Sequence, residues 1–299
     1  MKPLHIARLD TLARILGHDA KALRTIGLHI DDYYVKDSTQ KKSGETRVLH
    51  KPRYILKVIQ KNIKRRLSII PLPSSVYGWV KGKSVRSAVE PHRGMSHLYC
   101  FDIHSYFDSV HSIRVYKLFS EKLKCTPDVS KILTRLCTYR SCLPQGSPCS
   151  PVIANLILYD FDRSMSSYTA SINAQYTRLG DDIIVSSNSE LSDVEGVVVS
   201  GLRRFGLKMN PDKTKVGKPK ESGIKVLGAV IGTGVTISRI YRRQVRAILH
   251  NAQKSGLNAQ NRDARFNMRK HLLGRITFIE TYHPVEGQLL WQMITDIPD

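Results

Sequence analysis

Residues 174–187 read Ala-Gln-Tyr-Thr-Arg-Leu-Gly-Asp-Asp-Ile-Ile-Val-Ser-Ser, which is the most informative stretch of the chain. Two short runs of strand-forming residues flank Gly180, a residue that favours the tight turn of a β-hairpin. The turn places the adjacent carboxylates of Asp181 and Asp182 at the hairpin tip. Because like charges a few ångströms apart repel each other, such a pair is useful mainly for binding divalent metal ions.

The charge of the chain points to a class of partner. Its 299 residues include 47 Lys and Arg against 25 Asp and Glu, a formal net charge of +22. This excess is typical of nucleic-acid-binding proteins, and it is spread along the chain rather than concentrated on one membrane-binding helix. No apolar run is long enough to span a membrane. The five cysteines lack zinc-site or disulfide spacing, so the expected location is the reducing cytoplasm.

The order of the predicted elements indicates the fold class. A hairpin is expected over 33–50, the pattern then reads β–α–ββ–α–β, and a basic helical tail covers 239–275. This order predicts an α+β fold in which helices support an antiparallel sheet with acids on its open face. Ser150 is the expected N-cap of one helix, and Ser192 forms a predicted capping box with Glu195 in another. A parallel dinucleotide-binding fold is disfavoured, because no glycine-rich turn follows a strand.

A third acid extends the candidate site. Asp102 ends the predicted buried strand 98–102, and it converges with Asp181 if the two strands are neighbours. Such carboxylates can hold a pair of Mg²⁺ ions for phosphoryl transfer, one activating the attacking hydroxyl and one holding the leaving pyrophosphate. For Asp102 taken alone, a strand-end acid that only caps a turn is the alternative.

A second unusual segment is Leu143-Pro144-Gln145-Gly146-Ser147-Pro148-Cys149-Ser150-Pro151. Its prolines and glycine predict a rigid loop that enters a helix. Backbone close to Gly146 can pack against a flat substrate, and Gln145 can reach the edge or the phosphates of that substrate. The alternative is a rigid connector without chemistry.

Three segments resemble the core motifs of reverse transcriptases, most closely those of the bacterial retron type. They are Phe101–Val110, Leu143–Pro151 with Asn155-Leu156, and Tyr176–Ser186. Shorter similar segments extend the resemblance over roughly residues 33–285. It implies a right-hand polymerase fold with fingers at 1–97, a palm at 98–235 that includes part of the fingers at about 111–142, and a helical thumb at 236–299.

The resemblance also implies roles for individual residues. Asp102, Asp181 and Asp182 are the expected catalytic acids that hold two Mg²⁺ or Mn²⁺ ions, with the Ile103 carbonyl as a further ligand. The expected nucleotide-binding residues are Lys41, Lys42, Arg47, Phe107, Gln145, Gly146 and Lys213. The expected primer and template contacts are Leu179, Gly180, Arg242, Arg243, Arg246, Arg269 and Arg275.

The roles of Phe107 and Lys213 have alternatives. Phe107 matches the bulky residue that excludes a ribose 2′-hydroxyl, but a core aromatic would read the same way. Lys213 would donate a proton to pyrophosphate or merely solvate a loop. Leu179-Gly180 departs from the Tyr-Ala usual in the family, which removes an aromatic side chain beside the primer end.

The function implied by the resemblance is RNA-directed DNA synthesis in a retron-like anti-phage system. The expected partners are dNTPs, a structured noncoding RNA of the msr-msd kind that serves as template and primer, its DNA product and an effector protein. Because the chain ends soon after the thumb, removal of copied RNA is assigned to a host ribonuclease H. The alternatives are an RNA-dependent RNA polymerase, in which Asp108 reads a ribose hydroxyl, a template-independent polymerase, and a non-catalytic RNA-binding scaffold.

Overall fold

A computed structural model of the chain describes residues 1–40, 46–260 and 267–297. Helices account for most of the regular structure in these ranges. They are α1 (Leu9–Leu16), α2 (Ala20–Leu28), α3 (Tyr54–Leu67), α4 (Val85–Val89), α5 (Tyr106–Ser109), α6 (Ser112–Lys117), α7 (Pro127–Cys137), α8 (Ser150–Ile157), α9 (Tyr159–Ser171), α10 (Val194–Arg203), α11 (Pro219–Ser222), α12 (Arg239–Ser255), α13 (Met268–Tyr282) and α14 (Pro284–Thr295). Short 3-10 turns lie at Ile30–Tyr33, Glu90–His92 and Asn258–Gln260, and a π-helical turn lies at Leu118–Lys122.

The strands form small sheets. They are β1 (Tyr34–Gln40), β2 (Thr46–Pro52), β3 (His97–Ile103), β4 (Gln175–Leu179), β5 (Asp182–Ser187), β6 (Met209–Gly217), β7 (Ile224–Val226), β8 (Ala229–Ile231) and β9 (Val235–Ile237). β1 and β2 pair antiparallel, as do the neighbours in the order β7-β8-β9. The remaining strands form one sheet in the order β4-β5-β3-β6. The sequence predicted both hairpins, at 33–50 and at 174–187, and both are confirmed.

The chain divides into two compact units. Unit 1 contains Met1–Lys83, Tyr99–Val185 and Glu190–Lys215. Unit 2 contains Ser84–Leu98, Ser186–Ser189 and the described part of Val216–Asp299. The boundaries of fingers, palm and thumb remain a prediction.

Unit 1 is built around β4 and the larger parts of β5, β3 and β6. Phe101 and Ile103 of β3, and Ile183 and Val185 of β5, are at most 2% exposed. They belong to one hydrophobic core with buried side chains of α7, α8 and α9. Apolar burial is the main favourable term in folding, so the sheet is a stable support for the polar residues at its strand ends.

Unit 2 carries the predicted helical tail. Val245 and Leu249 of α12 face Leu272 and Ile276 of α13 in a second hydrophobic core, to which α14 also contributes. The spacing of four residues within each pair places both members on one helix face. The small sheet β7-β8-β9 belongs to the same unit.

Both predicted N-caps are wrong. Ser150 is already the first residue of α8, and its hydroxyl donates to the Pro144 carbonyl at 3.0 Å. Helix α10 begins at Val194, so Asp193 occupies the N-cap position and makes no capping hydrogen bond through its side chain. Ser192 and Glu195 are therefore one residue out of register for a capping box.

Candidate active site

The strands β3 and β5 are neighbours, which brings the predicted acids to one end of the sheet. The backbone N–H of Ile103 donates to the carbonyl of Asp181 at 3.0 Å. Asp102 is the residue before Ile103, and Asp182 begins β5. Strand order therefore connects carboxylates that are far apart in the sequence.

Asp102 is held by residues of β6. Its side chain is 8% exposed, and its Oδ1 accepts a hydrogen bond from the Lys213 ammonium at 2.9 Å. The Asn210 amide lies 3.4 Å from Oδ2. The hydrogen bond to Asp102 raises the pKa of Lys213, so that this ammonium remains charged. The predicted nucleotide-binding lysine, Lys213, therefore lies among the three aspartates.

The pKa of Asp182 is shifted by its burial and by the neighbouring charges. Burial raises the pKa of its carboxyl from 3.8 to about 7, and the negative charges of Asp181 and Asp102 add to the shift. Lys213 and Lys215 oppose it. The three carboxyl groups thus lie close enough to influence one another, and a bound cation would favour their charged forms.

The donor chemistry of this tip fits a hard divalent cation, because carboxylate and carbonyl oxygens are the ligands that Mg²⁺ prefers. In the arrangement described, no three His, Cys, Asp or Glu side chains of residues 1–40, 46–260 and 267–297 are close enough to hold a metal ion together. Asp102 is paired with Lys213 instead. A metal role for the three acids and for the Ile103 carbonyl remains a prediction.

A buried ion pair supports the hairpin from inside. Arg178 of β4 and Asp162 of α9 have no exposed surface, and they form two parallel hydrogen bonds of 2.7 Å each. The Tyr176 hydroxyl donates to the same Asp162 carboxylate at 2.6 Å. Two-point contact of this kind fixes the orientation of the guanidinium as well as its position.

The third guanidinium nitrogen of Arg178 reaches the turn. Its Nη1 donates to the carbonyl of Gly180 at 2.8 Å and to the side-chain oxygen of Asn155 at 3.1 Å. The Asn155 amide donates in turn to the carbonyl of Gly78 at 2.7 Å. The backbone that carries Asp181 is thereby tied to α8 and α9. Sequence reasoning missed this network, although Arg178 is the only charged residue of β4 and was a visible signal.

The loop before α8, which the sequence predicted to be rigid, makes hydrogen bonds to β2 and to Asp108. The Gln145 carbonyl accepts a hydrogen bond of 2.8 Å from the His50 N–H of β2, and its side-chain amide donates to Asp108 at 2.9 Å. Gly146 has a φ of +118°, and a Cβ there would lie 2.9 Å from the His50 carbonyl oxygen. Glycine is thus required by both the backbone conformation and the close approach of β2.

Two aromatic side chains lie near the hairpin tip. Phe107 is half-buried, and its ring centroid is 5.4 Å from that of Tyr106 and 5.7 Å from that of Trp79. Sequence reasoning also missed Trp79, since its segment has no motif of its own. Phe107 is a core-edge aromatic, and exclusion of a 2′-hydroxyl remains its predicted role.

Several other predicted site residues have described positions. Leu179 ends β4, and Gly180 is buried in the turn with a φ of +70°. Arg47 lies on β2, where its backbone is opposite Thr39. Lys41 and Lys42 lie outside the described residues.

Four of the five predicted primer and template arginines of unit 2 make internal contacts. Glu286 accepts from Arg242 at 2.5 Å and from Arg246 at 2.6 Å. The other three have separate environments: Arg269 donates to the carbonyls of α14 and the residues after it, Arg275 lies over a tyrosine ring, and Arg243 is exposed. Contact of these side chains with a nucleic-acid duplex remains a prediction.

Comparison with known proteins identifies the family. Residues 39–231 match the family model described as reverse transcriptase (RNA-dependent DNA polymerase). The chain belongs to the reverse transcriptase family. This reverse transcriptase is 31% identical to the retron Ec86 reverse transcriptase of Escherichia coli, over 81% of this chain and 77% of that protein. It is 27% identical to the retron Se72 reverse transcriptase of Salmonella heidelberg, over 98% of this chain and 80% of that protein.

These relatives make the chain an RNA-directed DNA polymerase of the retron type. The family implies a divalent metal cofactor and an RNA template. A telomerase from Candida albicans, solved with a fragment of telomeric RNA, shares the right-hand polymerase fold with a TM-score of 0.51. That match has 12% identity and covers 87% of this chain and 62% of the telomerase chain, so it concerns the fold alone. Among the described residues, no helix has the length and apolar character needed to cross a membrane.

Proposed function

We propose that this reverse transcriptase copies part of a structured noncoding RNA into DNA and stays associated with the product, as retron-type msDNA synthesis requires. The observation that best supports the proposal is the meeting of β3 and β5, where the Ile103 N–H binds the Asp181 carbonyl at 3.0 Å. This meeting brings Asp102 and Asp181 close to Asp182, whose pKa is raised first by burial and further by their negative charges. Such a group of carboxyls suits the binding of cations and, through them, of a triphosphate.

In this proposal Asp102, Asp181 and Asp182 hold two Mg²⁺ ions, with the Ile103 carbonyl as a further ligand. When bound, such ions activate the attacking hydroxyl and stabilise the leaving pyrophosphate. Lys213 must exchange its contact with Asp102 for a contact with the triphosphate. There its ammonium can give a proton to the leaving group.

The remaining nucleotide contacts come from the loop and the basic hairpin. Gln145 and Gly146 form a wall of the nucleotide pocket, and contacts with His50 of β2 hold their backbone in place. Arg47, with Lys41 and Lys42, binds the triphosphate, for which cationic donors are suited. Phe107 lies at the sugar and excludes a 2′-hydroxyl, which selects dNTPs over NTPs.

The proposed partners follow from the product. DNA copied from RNA stays paired with its template until the RNA strand is cleaved, so we assign that step to a host ribonuclease H. We also place the enzyme and its DNA in an anti-phage system with an effector protein, acting in the cytoplasm. In a host that lacks ribonuclease H, a persistent RNA–DNA hybrid is expected. Loss of the hybrid's RNA strand at the normal rate would contradict this assignment.

Primer extension on an RNA template tests the polymerase assignment. The wild-type chain is expected to incorporate dNTPs and not NTPs, and Asp181→Asn is expected to abolish incorporation. Phe107→Ala is expected to admit NTPs, whereas Phe107→Tyr keeps the bulk and the selectivity. Preferential use of NTPs by the wild-type chain would favour the RNA-dependent RNA polymerase. Extension without any template would favour a template-independent polymerase.

Sequencing of DNA that co-purifies with the protein tests the retron-like product. The expected result is one DNA species complementary to a single structured RNA, absent when Asp181→Asn and Asp182→Asn are combined. If cellular defence survives in that double variant, the chain acts as a non-catalytic RNA-binding scaffold and the proposal is wrong.

A further inference from the structure

Trp79 follows a short segment, residues 75–77, that pairs with β4 and places the indole beside the hairpin of Asp181 and Asp182. The Arg178 N–H donates to the Ser75 carbonyl at 2.9 Å, and the Tyr77 N–H donates to the Arg178 carbonyl at 2.8 Å. These hydrogen bonds hold residues 75–77 alongside β4. The two residues that follow, Gly78 and Trp79, therefore lie beside the turn of the hairpin.

The contact between this segment and the turn is very close. A Cβ on Gly78 would lie 2.4 Å from the backbone nitrogen of Gly180, and a Cβ on Gly180 would lie 2.9 Å from Cη2 of Trp79. Glycine at both positions lets the indole ring lie directly against the backbone that leads to Asp181. The Trp79 ring thus occupies the space that a side chain at position 180 would need.

The ring is nevertheless far from buried. Trp79 is 53% exposed, and its φ of +57° is a conformation that residues with a side chain seldom adopt. A strained backbone that presents a large apolar ring to solvent is a feature found at ligand sites. The centroid of the Phe107 ring lies 5.7 Å away at an interplanar angle of 53°, so the indole adjoins both Phe107 and the Gly180 turn.

The surroundings of Trp79 suit a nucleic acid. It lines a cavity of about 520 Å³ together with Lys64, Lys81 and the Asn155 that supports the turn. Aromatic faces flanked by cationic side chains bind nucleic-acid strands, because bases stack on the ring and phosphates are attracted by the charges. An exposed indole beside the acids is therefore in the right place to contact a nucleobase.

We propose that Trp79 stacks on the nucleobase that adjoins the Asp181–Asp182 tip during DNA synthesis. This inference rests on the proposed function and adds a binding residue to it. The base belongs either to the end of the primer or to the incoming dNTP, and in both cases the ring positions the reacting nucleotide relative to the acids. Gly180 then serves to leave room for the ring.

Tryptophan fluorescence tests the contact directly. The chain has two tryptophans, so Trp291→Phe leaves Trp79 as the only one. An RNA template with a DNA primer is expected to quench this signal when the primer ends in a normal nucleotide, but not when it ends in an abasic one. In a second arm, a dNTP is added without primer and template, and quenching there shows that Trp79 stacks on the base of the incoming dNTP. Quenching in either arm supports stacking, and quenching in neither overturns the inference.

Kinetics provide a second measure. Trp79→Leu is expected to raise KM for the primer–template or the dNTP about 10-fold, since base stacking has that order of effect, while Trp79→Phe stays within about 3-fold. Leu28→Ala, at a similarly exposed apolar site on α2, is the control and leaves KM unchanged. An unchanged KM in Trp79→Leu refutes the inference. Failure of the wild-type chain to extend a primer, with quenching intact, refutes the proposed function instead.

Discussion

The buried ion pair Asp162–Arg178 should have two separable effects, one on the stability of the fold and one on the position of the turn that carries Asp181. Because neither side chain is exposed, Asp162→Leu leaves a guanidinium buried without its carboxylate. Breaking such a pair costs about 3–5 kcal/mol, and the Tyr176 hydroxyl loses its acceptor at a further cost of about 1 kcal/mol. With a urea dependence of about 3 kcal/mol per M, a loss of about 5 kcal/mol lowers the unfolding midpoint by roughly 1.5 M.

Combining Asp162→Leu with Arg178→Met removes both charges and keeps the volume. Replacement of a whole buried pair by apolar residues is often neutral, so most of the lost stability should return. Activity should not return, because the Gly180 carbonyl no longer has the Nη1 donor that lies 2.8 Å away. The double variant is therefore expected to fold and to extend primers poorly.

Urea unfolding is followed by Trp79 fluorescence in the Trp291→Phe background, since Trp79 belongs to the same unit as the ion pair. Lys122–Asp160 is the matched control, because Asp160 is on the same helix but the pair is about half exposed. Asp160→Leu should cost at most about 1 kcal/mol. The reasoning is refuted if Asp162→Leu behaves like Asp160→Leu, or if the double variant regains full primer extension.

Three further predictions concern the site and its charge. Between pH 3.8 and about 7 the folded chain binds a proton at Asp182 that the unfolded chain has released, so stability falls as pH rises through this range. In EDTA, Asp182→Asn should therefore unfold at a higher temperature than wild type at pH 8 and at the same temperature at pH 4. A lower unfolding temperature of the variant at pH 8 would contradict the expected direction of the effect. Gly146→Ala should destabilise the chain by about 1–3 kcal/mol in thermal unfolding, because of its positive φ and the nearby His50 carbonyl. Gly274→Ala, in open space on α13, should be neutral or stabilising, and a similar loss in both variants would reject the steric argument. The logarithm of RNA affinity should fall by about 0.9 per phosphate contacted for each tenfold rise in salt if the RNA is bound as a duplex, and a flat response would remove the role given to the basic residues.

Local patterns were enough for the main elements of the site. The hairpin at 174–187, the buried strand that ends in Asp102 and the rigid loop at Gly146 were all predicted from side-chain type and spacing. Such features depend on near neighbours in the chain, where turn preference and period-2 or period-3.6 burial are decided. The N-caps were wrong because a shift of one residue changes which side chain reaches the first turn.

The sequence by itself determined the acids, the turn that carries two of them and the excess of positive charge, since each follows from residue type or local spacing. Only the tertiary structure decided that β3 lies beside β5, that Arg178 reaches both Asp162 and Gly180, and that Trp79 covers the turn. The physical reason is that these contacts join segments separated by up to about a hundred residues. Their formation depends on how the sheet and helices pack together, which no short stretch of sequence records.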